Sequence, residues 1–353
     1  MAVEPLRAAL IGCGAISAQH LAFLTGGAAH SARLVGVCDL SSAAAEYTAQ
    51  RYGTVAFTDA AEMLQQLQPD VVHVLTPPRS HRPLVEMALS AGAHVLCEKP
   101  IATSGADLAA MLALADAGGR RLTENHNYLF NDPVQAVDRI LADGRIGDVV
   151  EVEVLFALGV TEGGRFVDPN VPSPVAHLAG GAVHDFLTHL SYLTLHFLGA
   201  GEPTAVSARW RNRSGKPQAG FDDLAASFEV GERLGIVRFT AAARPECATI
   251  RVRGTKGTVE TDLYQPYLRL DIARSRAQLS SVVNQVVNGL SLTAAGGRGL
   301  RNKVLQHTPY HGLHRFLAAF YGSLRGGPAP VSRAELLRTT ALIDALIAGQ
   351  GAA

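Results

Sequence analysis

Apolar and polar positions alternate along the first third of this chain in a rhythm of short runs and helical stripes. Leu6 to Ile11 is a short apolar run that breaks on Gly12 and Gly14. The pattern then resumes at helical spacing through Ile16, His20, Phe23 and Leu24, which predicts a strand turning over glycines into a helix. Apolar runs at 34–38, 55–57, 71–75, 94–97 and 121–124 predict further strands. Helical stripes at 42–52, 60–67, 81–91 and 104–117 separate them. Such strand–helix alternation implies a parallel sheet with helices on both faces. From Val149 the rhythm changes to long strands with short turns: 149–158, 204–211, 222–230, 234–242, 247–253, 257–262 and 267–272. Helices are expected at 181–198, 310–325 and 332–349. A further amphipathic helix is expected at 278–290, with a glycine-rich link at 295–299. The change predicts two domains, 1–125 and 126–353, the second α+β and mainly antiparallel, with its closing helix packing back on the first.

The first turn carries chemistry. A strand that passes over glycines into a helix gathers free backbone N–H groups and the positive end of a helix dipole, which suits a pyrophosphate. Gly12 permits the tight turn, Gly14 lets phosphates approach the backbone, and Ser17 stands in for a third small residue, with Ala15 and Ile16 between. The second strand ends on Asp39, 25 residues after Gly14, where a carboxylate can accept from ribose hydroxyls. No arginine directly follows Asp39, so NAD is expected as cofactor and NADP is disfavoured.

Composition narrows the classes. The 353 residues carry a formal net charge of zero, with 48% hydrophobic and 18% charged residues. That describes a globular protein with no electrostatic footprint for nucleic acid. Four scattered cysteines without a Cys-x-x-Cys pair read as reduced thiols of a cytoplasmic protein. Neither a signal peptide nor a membrane span is expected. Of 31 basic side chains only four are lysines, and one of them, Lys99, follows a strand end in Glu98-Lys99-Pro100.

The loop Thr76-Pro77-Pro78-Arg79-Ser80-His81 follows another strand, at the sheet edge where open α/β sheets bind ligands. In Gly180-Gly181-Ala182-Val183-His184-Asp185-Phe186-Leu187-Thr188-His189, Asp185 and His189 stand at i and i+4, hence on one helical face. A carboxylate beside an imidazole suits proton transfer, although simple surface pairing gives the same spacing. The pair also resembles part of a metal site. No further ligands sit nearby in a recognisable pattern, so no metal is expected.

Taken together, Gly12-Cys13-Gly14-Ala15-Ile16…His20, Thr76-Pro77…His81, Glu98-Lys99-Pro100 and Gly180-Gly181…Asp185…His189 resemble the Gfo/Idh/MocA family (glucose–fructose oxidoreductase, inositol dehydrogenase, rhizopine catabolism) nearly end to end. The resemblance implies a doubly wound Rossmann domain, a second α+β domain with a large open-faced sheet, and NAD(P)-dependent redox chemistry on sugars or cyclitols. It places Lys99, Asp185 and His189 as the catalytic trio. Thr76, Pro77, His81, Glu98 and Asn127 join Gly12, Gly14 and Asp39 as candidate cofactor contacts; Tyr128 and His177 join the trio as candidate substrate contacts. It also points to a homodimer or homotetramer through the second sheet. Leu129 stands where the family often has arginine, and Leu187 where it often has glycine.

Two other readings use the same residues. One is a lyase or glycoside cleavage that borrows and returns a hydride, and the other is a ligand sensor, which an intact trio argues against. A last feature is the acid-free segment 272–334, with eight basic residues: Arg274, Arg276, Arg298, Arg301, Lys303, Arg315, Arg325 and Arg333. It is expected either to face an acidic surface of a neighbouring subunit or to line the entrance for an anionic sugar.

Overall fold

The computed structural model describes residues 4–26, 32–168, 170–171, 173, 178–273, 277–304 and 311–351. The chain folds into two compact units, 1–127 with 310–340, and 128–309 with 341–353. The divide thus falls two residues after the expected boundary, and 310–340 counts with the first unit rather than the second.

The first unit begins with β1 (Leu6–Ile11), α1 (Ser17–Thr25), β2 (Ala32–Cys38), α2 (Ser42–Tyr52), β3 (Val55–Phe57) and α3 (Ala60–Leu67). It continues with β4 (Val71–Val74), α4 (His81–Ser90), β5 (His94–Cys97), α5 (Gly105–Ala117) and β6 (Leu122–Glu124). Ser41, Asp59 and Ser104 cap α2, α3 and α5 by accepting from first-turn N–H groups. All strand pairs are parallel, in the order β3-β2-β1-β4-β5-β6. The order reverses between β1 and β4, and that switch point is where an open α/β sheet leaves a crevice at its carboxyl edge.

The second unit contains α6 (Asp132–Ala142), β7 (Val149–Ala157), α7 (Gly181–Leu198), β8 (Thr204–Arg211), β9 (Asp223–Val230) and β10 (Arg233–Thr240). After these come β11 (Cys247–Gly254), β12 (Gly257–Asp262), β13 (Leu268–Ile272) and α8 (Ala277–Val304). The seven strands run β13-β12-β11-β7-β10-β9-β8, and every pairing is antiparallel except β7 with β10. One sheet face packs on α7 through Val152, Val154, Phe156, Val237, Phe239 and Ile250. The other face carries paired charges, with Arg251 on Glu153 and Glu260 and Arg253 on Glu151. A shallow cavity of about 200 Å³ on that face is lined by Arg209, Arg211, Arg213, Arg238 and Asp223 among others. The chain closes with α9 (His311–Ser323) and α10 (Arg333–Ala348).

One expectation needs correction. The glycine-rich stretch 295–299 is not a link, because α8 runs unbroken to Val304. Glycine costs a helix about 1 kcal/mol per residue, a preference that tertiary packing such as the burial of Ala295 overrides. The amphipathic helix expected at 278–290 forms within α8 and turns its polar side to the sheet. Its polar residues Asn284, Asn288 and Ser291 bond to β13, while Val282, Val286, Val287 and Leu290 are exposed. Among the described residues no helix is long and apolar enough to cross a membrane.

Gly181 fixes the start of α7. Its φ is +55°, and a Cβ there would lie 2.4 Å from the Ala219 carbonyl oxygen and the Phe221 nitrogen. Gly181→Ala is therefore expected to lose about 1–3 kcal/mol of unfolding free energy in urea. Gly289→Ala, on α8 with open space around it, should lose none and gain up to about 1 kcal/mol.

Candidate active site

At the switch point Gly12 has a φ of +104°, and a Cβ on it would lie 2.8 Å from the Leu75 carbonyl carbon. Only glycine lets β1 turn this close to the chain leaving β4. Gly14 and Ala15 are exposed and Ile16 half-buried. A Cβ on Gly14 would meet nothing within 4 Å, so its glycine is not demanded by packing. Ser17 is buried, and its hydroxyl donates to the Gly14 carbonyl at 2.6 Å, tightening the turn into α1. Asp39 accepts from the Cys13 N–H through Oδ2 (2.8 Å) and from the Ser41 N–H through Oδ1 (2.9 Å). Its carboxylate thereby ties the glycine turn to the end of β2 and keeps spare lone pairs for a ribose. Burial pushes the Cys38 thiol up to about 11 and raises Cys13 as well, so neither thiol near the turn is primed as a nucleophile.

The loops after β4 and β5 are held by buried polar groups. His81, expected to touch the cofactor, is fully buried with Nε2 at 2.6 Å from the Thr76 carbonyl and Nδ1 at 2.9 Å from that of Pro100. It staples the Thr76-Pro77 loop to the Glu98-Lys99-Pro100 loop, which leaves its ring no nitrogen for a ligand. Burial lowers His81 below its ordinary value. Thr76 is half-buried and Pro77 exposed, and the Thr76 hydroxyl accepts from Ser80 at 2.8 Å. Glu98 is buried beneath the half-buried Lys99. Burial alone would raise its carboxyl. Hydrogen bonds from His20 and the Asn125 amide (2.6 Å), with the charge of nearby Lys99, outweigh that and bring it down to about 2. Glu124 accepts from the Ile101 N–H (2.8 Å) and lies 2.7 Å from His126.

In the second unit, Asp185 and His189 share one face of α7. Asp185 is half-buried and accepts from Arg165 at 3.2 Å. His189 is 7% exposed, so it is a core-facing imidazole and not half of a surface pair. Its Nδ1 lies 2.8 Å from the Tyr192 hydroxyl, and its ring stacks on Tyr128 with centroids 4.4 Å apart. Tyr192 also accepts from the Tyr128 N–H (3.2 Å), and Tyr128 meets Tyr264 through their hydroxyls at 3.4 Å. His184 is buried and accepts from the Gly180 N–H at 3.3 Å. Asn127, in the first unit, is buried beside Asn125 and His126 in sequence. His177 lies outside the described residues.

Sequence reasoning missed Tyr192, Arg165 and the buried partners of Glu98. Tyr192 had a signal, since i+3 from His189 shares its helical face. His20 was visible only as part of the turn motif, and its partner His73 reads as an interior strand residue. Of the acid-free segment, Arg274 and Arg276 lie outside the described residues, as do the side chains of Arg298, Arg301 and Lys303. Arg333 pairs with Asp116, and Arg325 donates to the Glu4 carbonyl at 3.4 Å. Among the described residues no group of three or more His, Cys, Asp or Glu side chains gathers as a metal site.

A parallel sheet of this strand order, a glycine turn at its switch point and an acid on β2 define a dinucleotide-binding domain. The structure offers two further points of fit for NAD: open space around the exposed Gly14 at the turn and, among the described residues, the Asn125 side-chain amide oxygen as a buried acceptor without a hydrogen-bond partner. Comparison with known proteins agrees. Residues 6–126 match the oxidoreductase family model with an NAD-binding Rossmann fold, and 134–260 match the GFO/IDH/MocA C-terminal domain. The chain belongs to the Gfo/Idh/MocA oxidoreductase family.

Relatives include inositol 2-dehydrogenase of Rhizobium meliloti (strain 1021), 30% identical over 74% of this chain and 77% of that protein. D-apiose dehydrogenase of Paraburkholderia graminis is 38% identical, but over only 41% of this chain and 38% of its own length. Among solved structures, the WlbA dehydrogenase from Bordetella pertussis in complex with NADH and UDP-GlcNAcA has a TM-score of 0.78. It is 22% identical, with 100% of this chain and 97% of that one covered. An oxidoreductase from Agrobacterium radiobacter in complex with NAD+, L-tartaric acid and magnesium has a TM-score of 0.76 at 22% identity, covering 99% and 97%. At such identities these two likenesses concern the fold.

The depressed Glu98 acid sets a pH dependence. Its carboxyl sits at about 2 in the folded protein against 4.5 for the free group. A lowered acid contributes stability that is complete above the free value and is lost as pH falls from there toward 2. In urea titrations the gap between wild type and Glu98→Gln should be constant above pH ~5 and shrink below it by up to about 3 kcal/mol. A gap that stays constant down to pH 3 would contradict the assignment.

Proposed function

We propose that this protein is an NAD-dependent dehydrogenase or ketoreductase acting on a secondary alcohol or ketone of a sugar, sugar derivative or cyclitol. The observation that carries the reading is Asp185 and His189 on one face of α7, with His189 held through Nδ1 by Tyr192. When bound, NAD supplies the hydride acceptor, so a secondary alcohol oxidised here gives up a hydride to it and a proton to the protein. His189 takes that proton, the imidazole being the side chain most often used as a general base. Asp185 holds the substrate hydroxyls, and its charge favours the imidazolium that forms. The Lys99 ammonium stabilises negative charge developing on the substrate oxygen. Gly12, Gly14 and the start of α1 cradle the pyrophosphate, and Asp39 holds the adenosine ribose. Inositol, apiose and glucoside dehydrogenases among the relatives support the substrate class.

We also propose a homo-oligomer that covers the charged face of the β7–β13 sheet with a second copy. Support comes from the half-buried Leu155, Leu234 and Ile236 set among the paired charges there. All four cysteines are free, which favours a reducing compartment such as the cytoplasm. Of the acid-free segment, Arg325 and Arg333 are engaged at the surface of the first unit, and the proposed substrate class is sugars and cyclitols. A KM rising steeply with salt would add an anionic group to it.

Four measurements test these readings. A panel of cyclitols, aldoses, glycosides and nucleotide sugars, followed by NADH absorbance, should yield one class with turnover. Product without net NADH would favour the recycled-hydride reading, and silence across the panel would remove the dehydrogenase reading. On that substrate His189→Ala and Lys99→Ala should cut kcat by ~10²–10⁴-fold while NADH binding changes little. NAD should exceed NADP in kcat/KM, with Asp39→Ser narrowing the gap, and equal values in wild type would defeat the Asp39 role. A monomer by light scattering at micromolar concentration would end the oligomer proposal.

A further inference from the structure

Beneath Glu98 lies a buried row of polar side chains that the proposed reaction leaves unused. His20 Nε2 is 3.3 Å from Glu98 Oε1, His20 Nδ1 is 2.9 Å from His73 Nδ1, and His73 Nε2 is 2.9 Å from the Tyr321 hydroxyl. His20 and His73 are fully buried and Tyr321 is 1% exposed. The row joins α1, β4 and α9 inside the first unit, and Tyr321 stacks on Phe23 with centroids 5.8 Å apart.

The protons in this row can be placed from one end. Among the described residues the Tyr321 hydroxyl has a single hydrogen-bond neighbour, His73 Nε2. A buried O–H left without an acceptor costs about 1–3 kcal/mol, so the Tyr321 proton points at that nitrogen. His73 Nε2 is then an acceptor. Burial keeps the His73 ring neutral, so its one proton sits on Nδ1. That proton points at His20 Nδ1, which must be bare. His20 in turn carries its proton on Nε2 and gives it to Glu98. Every bond donates in the same direction, and the last acceptor is the carboxylate. Asn125 adds a second donor to the same oxygen, and the Lys99 N–H approaches the other at 3.3 Å.

We propose that Tyr321, His73 and His20 are positioning residues, a one-way chain of hydrogen bonds that holds Glu98 ionised and in place and so favours the charged form of Lys99, its neighbour in the chain. The step to Lys99 rests on the reading of Lys99 as the group that stabilises the substrate oxygen. The attraction between that ammonium and the Glu98 carboxylate is mutual, so fixing one favours the charge on the other. The order of tautomers is a property of the chain itself and stands without any substrate.

Nuclear magnetic resonance of the full-length protein reads both parts. With ¹⁵N-histidine, and with His20→Gln and His73→Gln for assignment, His73 should be neutral with its proton on Nδ1, and His20 neutral with its proton on Nε2. Tyr321→Phe keeps the ring packing and should move the His73 Nε2 resonance toward that of an unbonded nitrogen. A His73 protonated on Nε2, or a doubly protonated His20 at pH 7, overturns the chain.

With ¹³C-lysine the four lysines give few enough signals to follow Lys99, identified by Lys99→Arg. Its titration midpoint should fall by about one pH unit in Glu98→Gln, and in the same direction by less in Tyr321→Phe. A midpoint unmoved in Glu98→Gln overturns the link to Lys99, whatever the tautomers are. None of these readings uses a sugar. They would survive a failed substrate panel, and their failure would leave the dehydrogenase proposal intact.

Discussion

The close pass of Gly12 against the chain leaving β4 is the constraint on which the first unit turns. Parallel strands β1 and β4 are hydrogen-bonded neighbours, yet their following segments must separate to opposite sides of the sheet. The separation happens within a residue or two, with the Gly12 N–H bonded to the Cys38 carbonyl at 2.8 Å and the Leu75 N–H bonded to that of Ile11 at 2.8 Å. A side chain at position 12 would push these segments apart by filling the space a Cβ would share with Leu75. Because nothing fills it, the glycine turn, the Asp39 carboxylate and the Thr76 loop all converge on one edge of the sheet.

That edge is polar, and it is kept in order by burying more polar groups behind it. His81 spans two loops, Glu124 holds Ile101, and Glu98 is fed by donors from His20 and Asn125. Buried networks of this kind are costly when one member is unpaired, so they fix loop positions more sharply than apolar packing would. The second unit uses another device for the same end. On α7, tyrosine hydroxyls and stacked rings set the His189 imidazole, and a tight approach at Gly181 sets where the helix begins.

Much of this was legible in the sequence, and the reasons are specific. The period of apolar residues marks the strands of the first sheet because parallel strands buried on both faces read as continuous runs. All seven strands of the second sheet were legible from alternation and hairpin turns. The glycine turn and Asp39 stand at strand ends where spacing marks them, whereas Lys99, Asp185 and His189 were singled out as a trio by the family resemblance. The partners of Glu98 were not legible as such. His73 lies inside β4 and Tyr321 is 248 residues further along the chain, so only folding brings them together. A long-range pair of buried polar residues has no local signature to read.

Helix α8 shows a subtler limit, for there the period was legible and the direction was not. A stripe of Leu279, Val282, Val283, Val286, Val287 and Leu290 ordinarily marks the side that faces the core. Here β13 is an edge strand, and its free backbone groups need partners more than its side chains need apolar cover. Asn288 accepts from the Leu270 N–H at 3.0 Å, Asn284 donates to the Ile272 carbonyl at 3.0 Å, and Ser291 donates to that of Leu268 at 2.9 Å. Residues 284, 288 and 291 share one helical face and stand where a neighbouring strand would otherwise pair. An amphipathic stripe therefore reports that a helix has two faces. Which face turns inward depends on whether the surface it meets lacks apolar cover or lacks hydrogen bonds, and at a sheet edge it is the second.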